Sequence, residues 1–499
     1  MIKIDKQDLL SVMADIAPGS GTAESESNDD QFFLNFLPVP SYRSVLEPDI
    51  LLILGGRGAG KTELFRLLAR PTGREILRNR THFRSSVELT QTIWVAAFGR
   101  PKQQEKQFPS PETVDLLMKN ADPIRWRAFW LGLILGILIQ KENLSSANWT
   151  KGLSGSCLAA LRDSLSMPSQ WFSFVINEFE QANHALDVLD NSLIEENKWL
   201  FVTYDELDRL VPSHADLALP IKELLAFWLD RWRRWERIRP KIFLRTDLFQ
   251  DEFLGFPDAS KLQGHQVRLE WSAIYLYQLF IKRLANSSFE MRNYVGLVRG
   301  LLGQEDPHLG VIPTLDEHLF ERFMEQLVGE FMGAGPRKGY TFSWIPNHLQ
   351  DAGGRIAPRS FLKLFATAAE RKLGSLKEVG NVGLQLLQPS DLQGSLMKTS
   401  ADRIAELAQE EYPWLEALKA SLEDLEVPMP TPKFLEVLRT TSWSKDPSKR
   451  PPSTEAYNIL RRLAQLGVVE LRLDGRINVP EIYLYGFKLK RRGGIKRPK

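Results

Sequence analysis

The chain has 499 residues, of which 43% are hydrophobic and 25% charged, with a formal net charge of +2 at pH 7. That length corresponds to roughly three folding units of about 150 residues, and so even a charge balance gives no global electrostatic reason to bind nucleic acid. Cys157 is the only cysteine, which excludes an intrachain disulfide and a cysteine-based zinc site, and the seven histidines are scattered without ligand spacing.

The N-terminus lacks an apolar leader core followed by a small-residue cleavage site, so a cytoplasmic chain is expected. Residues 17–30 are polar and rich in Gly, Ser and acids. Together with the short amphipathic stretch before them they predict a flexible lead-in over 1–31. The folded core is expected from Phe32 onward.

Residues Gly55, Gly56, Arg57, Gly58, Ala59, Gly60, Lys61 and Thr62 spell a complete phosphate-binding loop between an apolar run, Ile50–Leu54, and a helix-like stretch, Glu63–Ala69. Glycines at 55, 58 and 60 let the backbone curl round an anion, and the following helix adds its positive N-terminal end. Lys61 is expected on the β- and γ-phosphates and Thr62 on Mg²⁺. A nucleoside triphosphate is the ligand these eight residues predict.

A second strand is predicted at Thr92–Phe98, where β-branched and aromatic residues dominate. From 99 to 195 apolar residues recur at three- and four-residue spacing, as in SQWFSFVINEFEQANHALDVL, which predicts a helical insertion. Within it Ala128–Ile139 is a run of twelve mostly apolar residues. Such a run is too short for a bilayer core of about 30 Å, so a buried helix, not a membrane span, is predicted.

The apolar stretch Trp199–Tyr204 then ends in Asp205-Glu206. Downstream of a phosphate loop, such a strand end delivers one carboxylate to the Mg²⁺ and one to the attacking water. Asp205 is assigned the metal and Glu206 the base. A third strand, Lys241–Leu244, ends in Arg245-Thr246-Asp247. Thr246 or Asp247 would sense the γ-phosphate there; either could instead cap a helix. A fourth strand is predicted at Gln266–Glu270.

The order of these pieces, with Pro358-Arg359 opening a later helix, resembles the AAA+ and STAND group of P-loop ATPases, including its KAP-like and origin-recognition-like branches. The resemblance covers residues 45–375 at the level of motifs. It implies an α/β fold in which a P-loop NTPase parallel sheet is flanked by helices, with the ATPase core over 32–98 and 196–272, the insertion at 99–195 and a helical lid at 273–385. It also implies ATP and Mg²⁺ as cofactors, Arg359 as a lid sensor and a homo-oligomer. One departure concerns Leu248–Gln266, which contains no arginine, so the usual place for a finger reaching into a neighbouring subunit is empty. Arg245, or the cluster Arg231, Arg233, Arg234 and Arg237 alternating with Trp232 and Trp235, could substitute. That cluster equally reads as a solvated face with packed tryptophans.

Other uses of a phosphate loop fit less well. The Asn-Lys-x-Asp sequence that reads guanine is absent, as is the LSGGQ-like signature of ABC-type ATPases. A small-molecule kinase usually occupies one compact domain, whereas this chain continues well past the lid.

The C-terminal part carries helical runs at 401–425 and 453–466, followed by GVVELRLDGRINVPEIY, whose Asp474-Gly475 pair is a strong hairpin signal. Helices followed by a hairpin look like a winged-helix domain, here over 386–487. Seven of the last twelve residues are Lys or Arg, namely Lys488, Lys490, Arg491, Arg492, Lys496, Arg497 and Lys499. A tail of this kind favours phosphate contacts without reading sequence. Two readings stay open: a DNA-associated ATPase, by resemblance one of a bacterial anti-phage defence or mobile-element module, and a nucleotide-state switch that recruits a protein effector without binding nucleic acid. No nuclease, protease or deaminase constellation is visible, so a separate effector protein is expected to carry any destructive chemistry.

Overall fold

The computed structural model describes residues 5–17, 29–80, 87–99, 107–141, 144, 148–249, 259–375, 383–446 and 449–492. Two compact units form. One is built on Pro38–Leu269, and the other joins the N-terminal helices to Glu270–Lys499.

The first unit is organised by five parallel strands, β1 (Leu52–Gly55), β2 (Thr92–Phe98), β3 (Trp199–Tyr204), β4 (Ile238–Arg245) and β5 (Gln266–Arg268), in the order β2-β3-β4-β1-β5. All of β1 and all of β4 are buried, as strands covered by helices on both faces must be. β4 lies between β1, which feeds the phosphate loop, and β3, which feeds the acidic pair. Because every strand is parallel, all five end at the same edge.

β4 is longer than the expected Lys241–Leu244. Its first half is hidden in the sequence by Arg239 and Lys241, whose charges read as surface. Lys241 is fully buried and donates from Nζ to the carbonyls of Glu47 and of Ile50, the latter at 2.7 Å, which fastens the entry of β1 to its neighbour strand. Arg239 lies over the Trp232 ring, 4.5 Å from its centroid. At the other end, the fourth expected strand is paired only as far as Arg268.

The helix Pro123–Ile139 is the core of the helical region between β2 and β3, and it is buried almost all round. Gly132 and Gly136 sit on one face of it, one turn apart. A methyl group at Gly132 would land inside the ring of Trp171, and one at Gly136 on Leu165. The two glycines form a notch that admits these side chains. Trp130 donates to the Pro220 carbonyl at 3.0 Å, and Arg127 pairs with Glu223 at 2.7 Å, which docks the helix on Ala218–Trp232. No helix among the described residues is long and apolar enough to cross a membrane.

The arginine cluster lies in and after the helix Ala218–Trp232, before β4 begins, at the opposite end of the sheet from the phosphate loop. Arg231 stacks on Phe227 with 3.7 Å to the ring centroid, Arg234 donates to Asp187 at 2.6 Å from Nε, and Arg237 lies 4.8 Å from the Trp199 centroid. Nearby, the buried Asp190 accepts from the backbone N–H groups of Glu236, Arg237 and Ile238 at 2.7–3.0 Å. Arg231 and Arg237 are thus spent on packing around the turn into β4, whereas Arg233 and Arg234 stay exposed.

In the second unit, residues 6–14, expected within a flexible lead-in, form the helix Lys6–Ala14, which buries Leu9, Leu10 and Met13 and packs against the helix Pro358–Ser375. Its apolar spacing explains the difference: three large side chains on one stripe need a partner surface. Most of the polar run 17–30 lies outside the described residues. A second helix, Asp29–Asn35, is held by Lys282, which donates to the Leu34 carbonyl, while Arg283 donates to the Ile16 carbonyl at 3.2 Å. A short antiparallel pair, β6 (Leu302–Asp306) and β7 (Gly310–Pro313), interrupts the helices.

Beyond the helix Pro389–Glu410 the chain runs through the helix Leu415–Leu422, β8 (Glu426–Val427), β9 (Met429–Pro430), the helices Thr431–Thr440 and Ala456–Gln465, β10 (Glu470–Leu471), β11 (Arg476–Asn478) and β12 (Lys490–Arg491). β9, β10 and β11 make an antiparallel sheet in the order β10-β11-β9. β12 pairs with β8. The basic C-terminus is thus tied into this sheet system: Lys488 pairs with Glu423 at 2.6 Å, Lys490 with Asp424 at 2.9 Å and Arg491 with Glu481 at 3.3 Å. Lys496, Arg497 and Lys499 lie outside the described residues.

Gly132→Ala should destabilise the protein by about 1–3 kcal/mol in chemical denaturation, because overpacking against a buried Trp outweighs the ~1 kcal/mol of helix propensity gained; a stabilised variant would refute the notch. Burial lowers the Lys241 ammonium from 10.5 to about 7. Between those values the unfolded chain holds a proton that the folded one has released, so stability attributable to Lys241 rises with pH across that window, by up to about 5 kcal/mol. Unfolding free energies of wild type and Lys241→Met measured from pH 6.5 to 10 should converge in favour of wild type as pH rises.

Candidate nucleotide site

The phosphate loop turns where its glycines allow it. Gly58 and Gly60 have φ of 71° and 93°, a region that disfavours side chains. Gly55 leaves little room for one: a Cβ there would lie 3.1 Å from Ala59 Cβ and 3.3 Å from Lys61 Cγ. The helix Lys61–Ala69 begins directly after Gly60 with no side-chain cap, so its first N–H groups point toward whatever the loop encircles. Lys61 folds back and donates from Nζ to the carbonyls of Gly55 and Gly56 at 3.1 and 3.0 Å. Burial, then the nearby Arg245 charge, pulls the pKa of this ammonium down, against Asp208, Asp205 and Asp247.

Beside the loop, Asp205 is 3% exposed and accepts a hydrogen bond from the Thr62 hydroxyl. Burial pushes its carboxyl up to about 6, in spite of the Glu206 backbone N–H, Lys61 and Thr62, all of which favour the ionised form. Its Oδ2 is buried and has no hydrogen-bond partner among the described residues. A hydroxyl against a carboxylate with one oxygen unengaged fits a Mg²⁺ that takes its remaining ligands from phosphates and water. Thr62 and Asp205 are the residues that would hold it.

Glu206 is buried, with its backbone in the left-handed region at φ 53°. A non-glycine residue there costs about 1–3 kcal/mol, strain of the kind that clusters at functional sites. Arg209 approaches its Oε1 at 3.9 Å.

From β4 comes Arg245, directly opposite Gly55 in register and 6% exposed. Its guanidinium grips Asp247 with two bonds, Nε to Oδ1 at 3.1 Å and Nη2 to Oδ2 at 2.8 Å, and Nη1 lies 3.6 Å from Asp208. Thr246 is half-buried and opens the short turn Thr246–Phe249. Asp247 thus holds an arginine, leaving Thr246 as the polar side chain at the tip that is not committed to that pair. Asp208 is a site residue that sequence reasoning missed. Its signal was the spacing of three from Asp205 on one tight loop. Arg245 was read only as a substitute finger, whereas its register places it beside the loop of its own chain.

Arg359 lies in the other unit, half-buried in the first turn of the helix Pro358–Ser375, without a hydrogen bond or ion pair among the described residues. The structure therefore brings together the loop, Thr62, Asp205, Glu206, Arg245, Thr246 and Asp247 on one sheet edge.

No protein-family model matches the chain, and no curated protein matches it. Among solved structures it is similar to Cdc6p from Pyrobaculum aerophilum, at 12% identity and TM-score 0.28, covering 88% of this chain and 87% of that one. It is also similar to the ORC2 protein of Aeropyrum pernix in ADPNP–ADP complexes, at 13% identity and TM-score 0.38 over 88% and 86% of the two chains. A third is the ORC1 protein of Aeropyrum pernix in complex with DNA, at 14% identity and TM-score 0.34 over 91% and 92%. With TM-scores this low, the reading of the site rests on its own residues.

Lys61→Ala should weaken ATP binding by about 10²-fold or more, since a charge-assisted phosphate contact is lost from a partly desolvated loop. Titration with a fluorescent ATP analogue checks this, and undiminished affinity would discard the assignment.

Proposed function

We propose that this protein is a Mg²⁺-dependent, ATP-hydrolysing protein of the AAA+/STAND type, associated with DNA. The carrying observation is the convergence of phosphate loop, Thr62–Asp205 pair and Glu206 on one strand edge, with β4 inserting Arg245 between them. The origin-recognition-like branch is the part of the resemblance we retain, and Arg359 keeps the lid-sensor role that the resemblance carries.

Chemically, the loop N–H groups and the helix end receive the phosphates, and Lys61 exchanges its two loop carbonyls for β- and γ-phosphate oxygens. Mg²⁺, when bound, neutralises charge shared by those oxygens. Glu206 accepts the proton of the attacking water, Thr246 positions that water or the γ-phosphate, and Arg245, held by Asp247, faces the charge that develops on the departing phosphoryl group.

The C-terminal helices with β9, β10 and β11 read as a winged helix, and its exposed Tyr457, Asn458, Arg461 and Arg472 offer a surface for duplex DNA. One observation favours the second reading, a nucleotide-state switch acting on a protein effector: Lys488, Lys490 and Arg491 are already paired with acids, which reduces what the basic end offers to phosphates. ATPase rate with and without DNA, read with mass in solution, separates the two and tests for a homo-oligomer. DNA stimulation with salt-dependent binding supports the first, and ATP-dependent capture of a protein without DNA affinity supports the second. A place in a defence or mobile-element module follows from the resemblance alone.

Glu206→Gln should retain ATP while steady-state hydrolysis falls by about 10²-fold or more. Full turnover in a phosphate-release assay would move the base elsewhere.

A further inference from the structure

Arg245 is caught between two carboxylates carried by two different strand ends. Asp247, two residues on at the tip of β4, takes the Nε–Nη2 edge of the guanidinium in a fork of two bonds at 3.1 and 2.8 Å. Asp208 comes from the turn Leu207–Arg209 that follows β3, and its Oδ2 lies 3.6 Å from Nη1. The two contacts are unequal. The fork is short, directional and nearly closed to water, with side-chain exposures of 7% for Arg245 and 14% for Asp247. The Asp208 contact is longer than a hydrogen bond, and the Asp208 side chain is 35% exposed. The fork therefore fixes how the guanidinium is aimed, and Asp208 is the looser of its two acidic neighbours.

These charges stand at the phosphate-binding edge. After burial, Arg245 is the largest influence lowering the Lys61 pKa, opposed by Asp208, Asp205 and Asp247, so all four lie within electrostatic reach of the ammonium assigned to the β- and γ-phosphates. A terminal phosphate carries more charge than a carboxylate and offers three acceptor oxygens. On the Nη1 side of Arg245 it competes with Asp208, whereas a diphosphate lacks the group that would do so. We propose that Asp208 is a specificity-determining residue: it holds Arg245 while the γ-phosphate is absent, and thereby narrows the preference of the site for ATP over ADP. Asp247 keeps the arginine aimed, and Asp208 is the partner that the γ-phosphate displaces. This rests on the nucleotide reading above and adds to it the residue that sets the balance between triphosphate and diphosphate.

The test is calorimetric titration of the full chain with ADP and with a non-hydrolysable ATP analogue, each with Mg²⁺. Asp208→Asn keeps the size of the side chain and removes its charge. The ratio of the ADP Kd to the analogue Kd should then rise by about fivefold or more, the scale of one partly exposed ion pair. Loss of an acid also strengthens binding of any polyanion, the more charged one most, so the control is the same change in an Arg245→Met background. There Asp208→Asn should move the ratio by no more than about twofold, because the arginine through which it acts is gone. Asp208→Glu, which keeps the charge, should return the ratio toward wild type. Thermal melts report any folding defect, and should Arg245→Met fail to fold, the contrast between Asp208→Asn and Asp208→Glu still decides. A ratio unmoved by Asp208→Asn, moved as much in the Arg245→Met background, or moved equally by Asp208→Glu, overturns the inference and leaves the nucleotide site standing. Wild type that binds neither nucleotide overturns both.

Discussion

The insertion of β4 between β1 and β3 is the constraint on which the rest of this site depends. Parallel pairing forces the strands to finish at one edge, and the order of strands decides which finishes are neighbours. Because β4 occupies the middle, Arg245 arrives opposite Gly55, and the end of β3 stands two inter-strand spacings, about 10 Å, from the end of β1. A β4 at the sheet edge would leave Asp205 and Thr62 in different surroundings. The buried Lys241, bonded to the chain just before β1, fastens that entry to the neighbouring strand.

Electrostatically, the site is a set of buried charges only partly satisfied within the protein. Lys61 is turned onto loop carbonyls, Arg245 onto Asp247, and Asp205 has a raised pKa with one oxygen unengaged. Each is a strained or partly desolvated arrangement that a triphosphate with its cation would relieve. On the proposed function, binding would exchange internal partners for external ones instead of desolvating bare charges.

The phosphate loop was legible because nearly every letter in it answers to backbone geometry or to phosphate charge, with little left to tertiary context. Asp205 and Glu206 were legible for a similar reason, as acids ending an apolar strand. Asp208 and the cis placement of Arg245 were not, since both depend on register and on a loop that doubles back. The first half of β4 was hidden because Arg239 and Lys241 look like surface residues until carbonyls and an indole face are found against them. In the arginine cluster, the packing of Arg231 and Arg237 on Phe227 and Trp199 was not legible, because those rings meet the arginines only in the fold. The helix Lys6–Ala14 was legible as a short amphipathic stretch, but not that it packs on a helix encoded far downstream.

That N-terminal helix also bears on how the chain comes to be folded. Its partner, the helix Pro358–Ser375, is encoded far downstream, with the whole nucleotide unit between them. At synthesis rates of about 5–20 residues per second, the interval before that partner emerges from the ribosome is roughly 20–70 s. Throughout it Leu9, Leu10 and Met13 lack the helix that makes most of their native contacts, while the first unit can already close around its own sheet. The helix Lys6–Ala14 is thus buried against that partner only after a long stretch of later chain has been made.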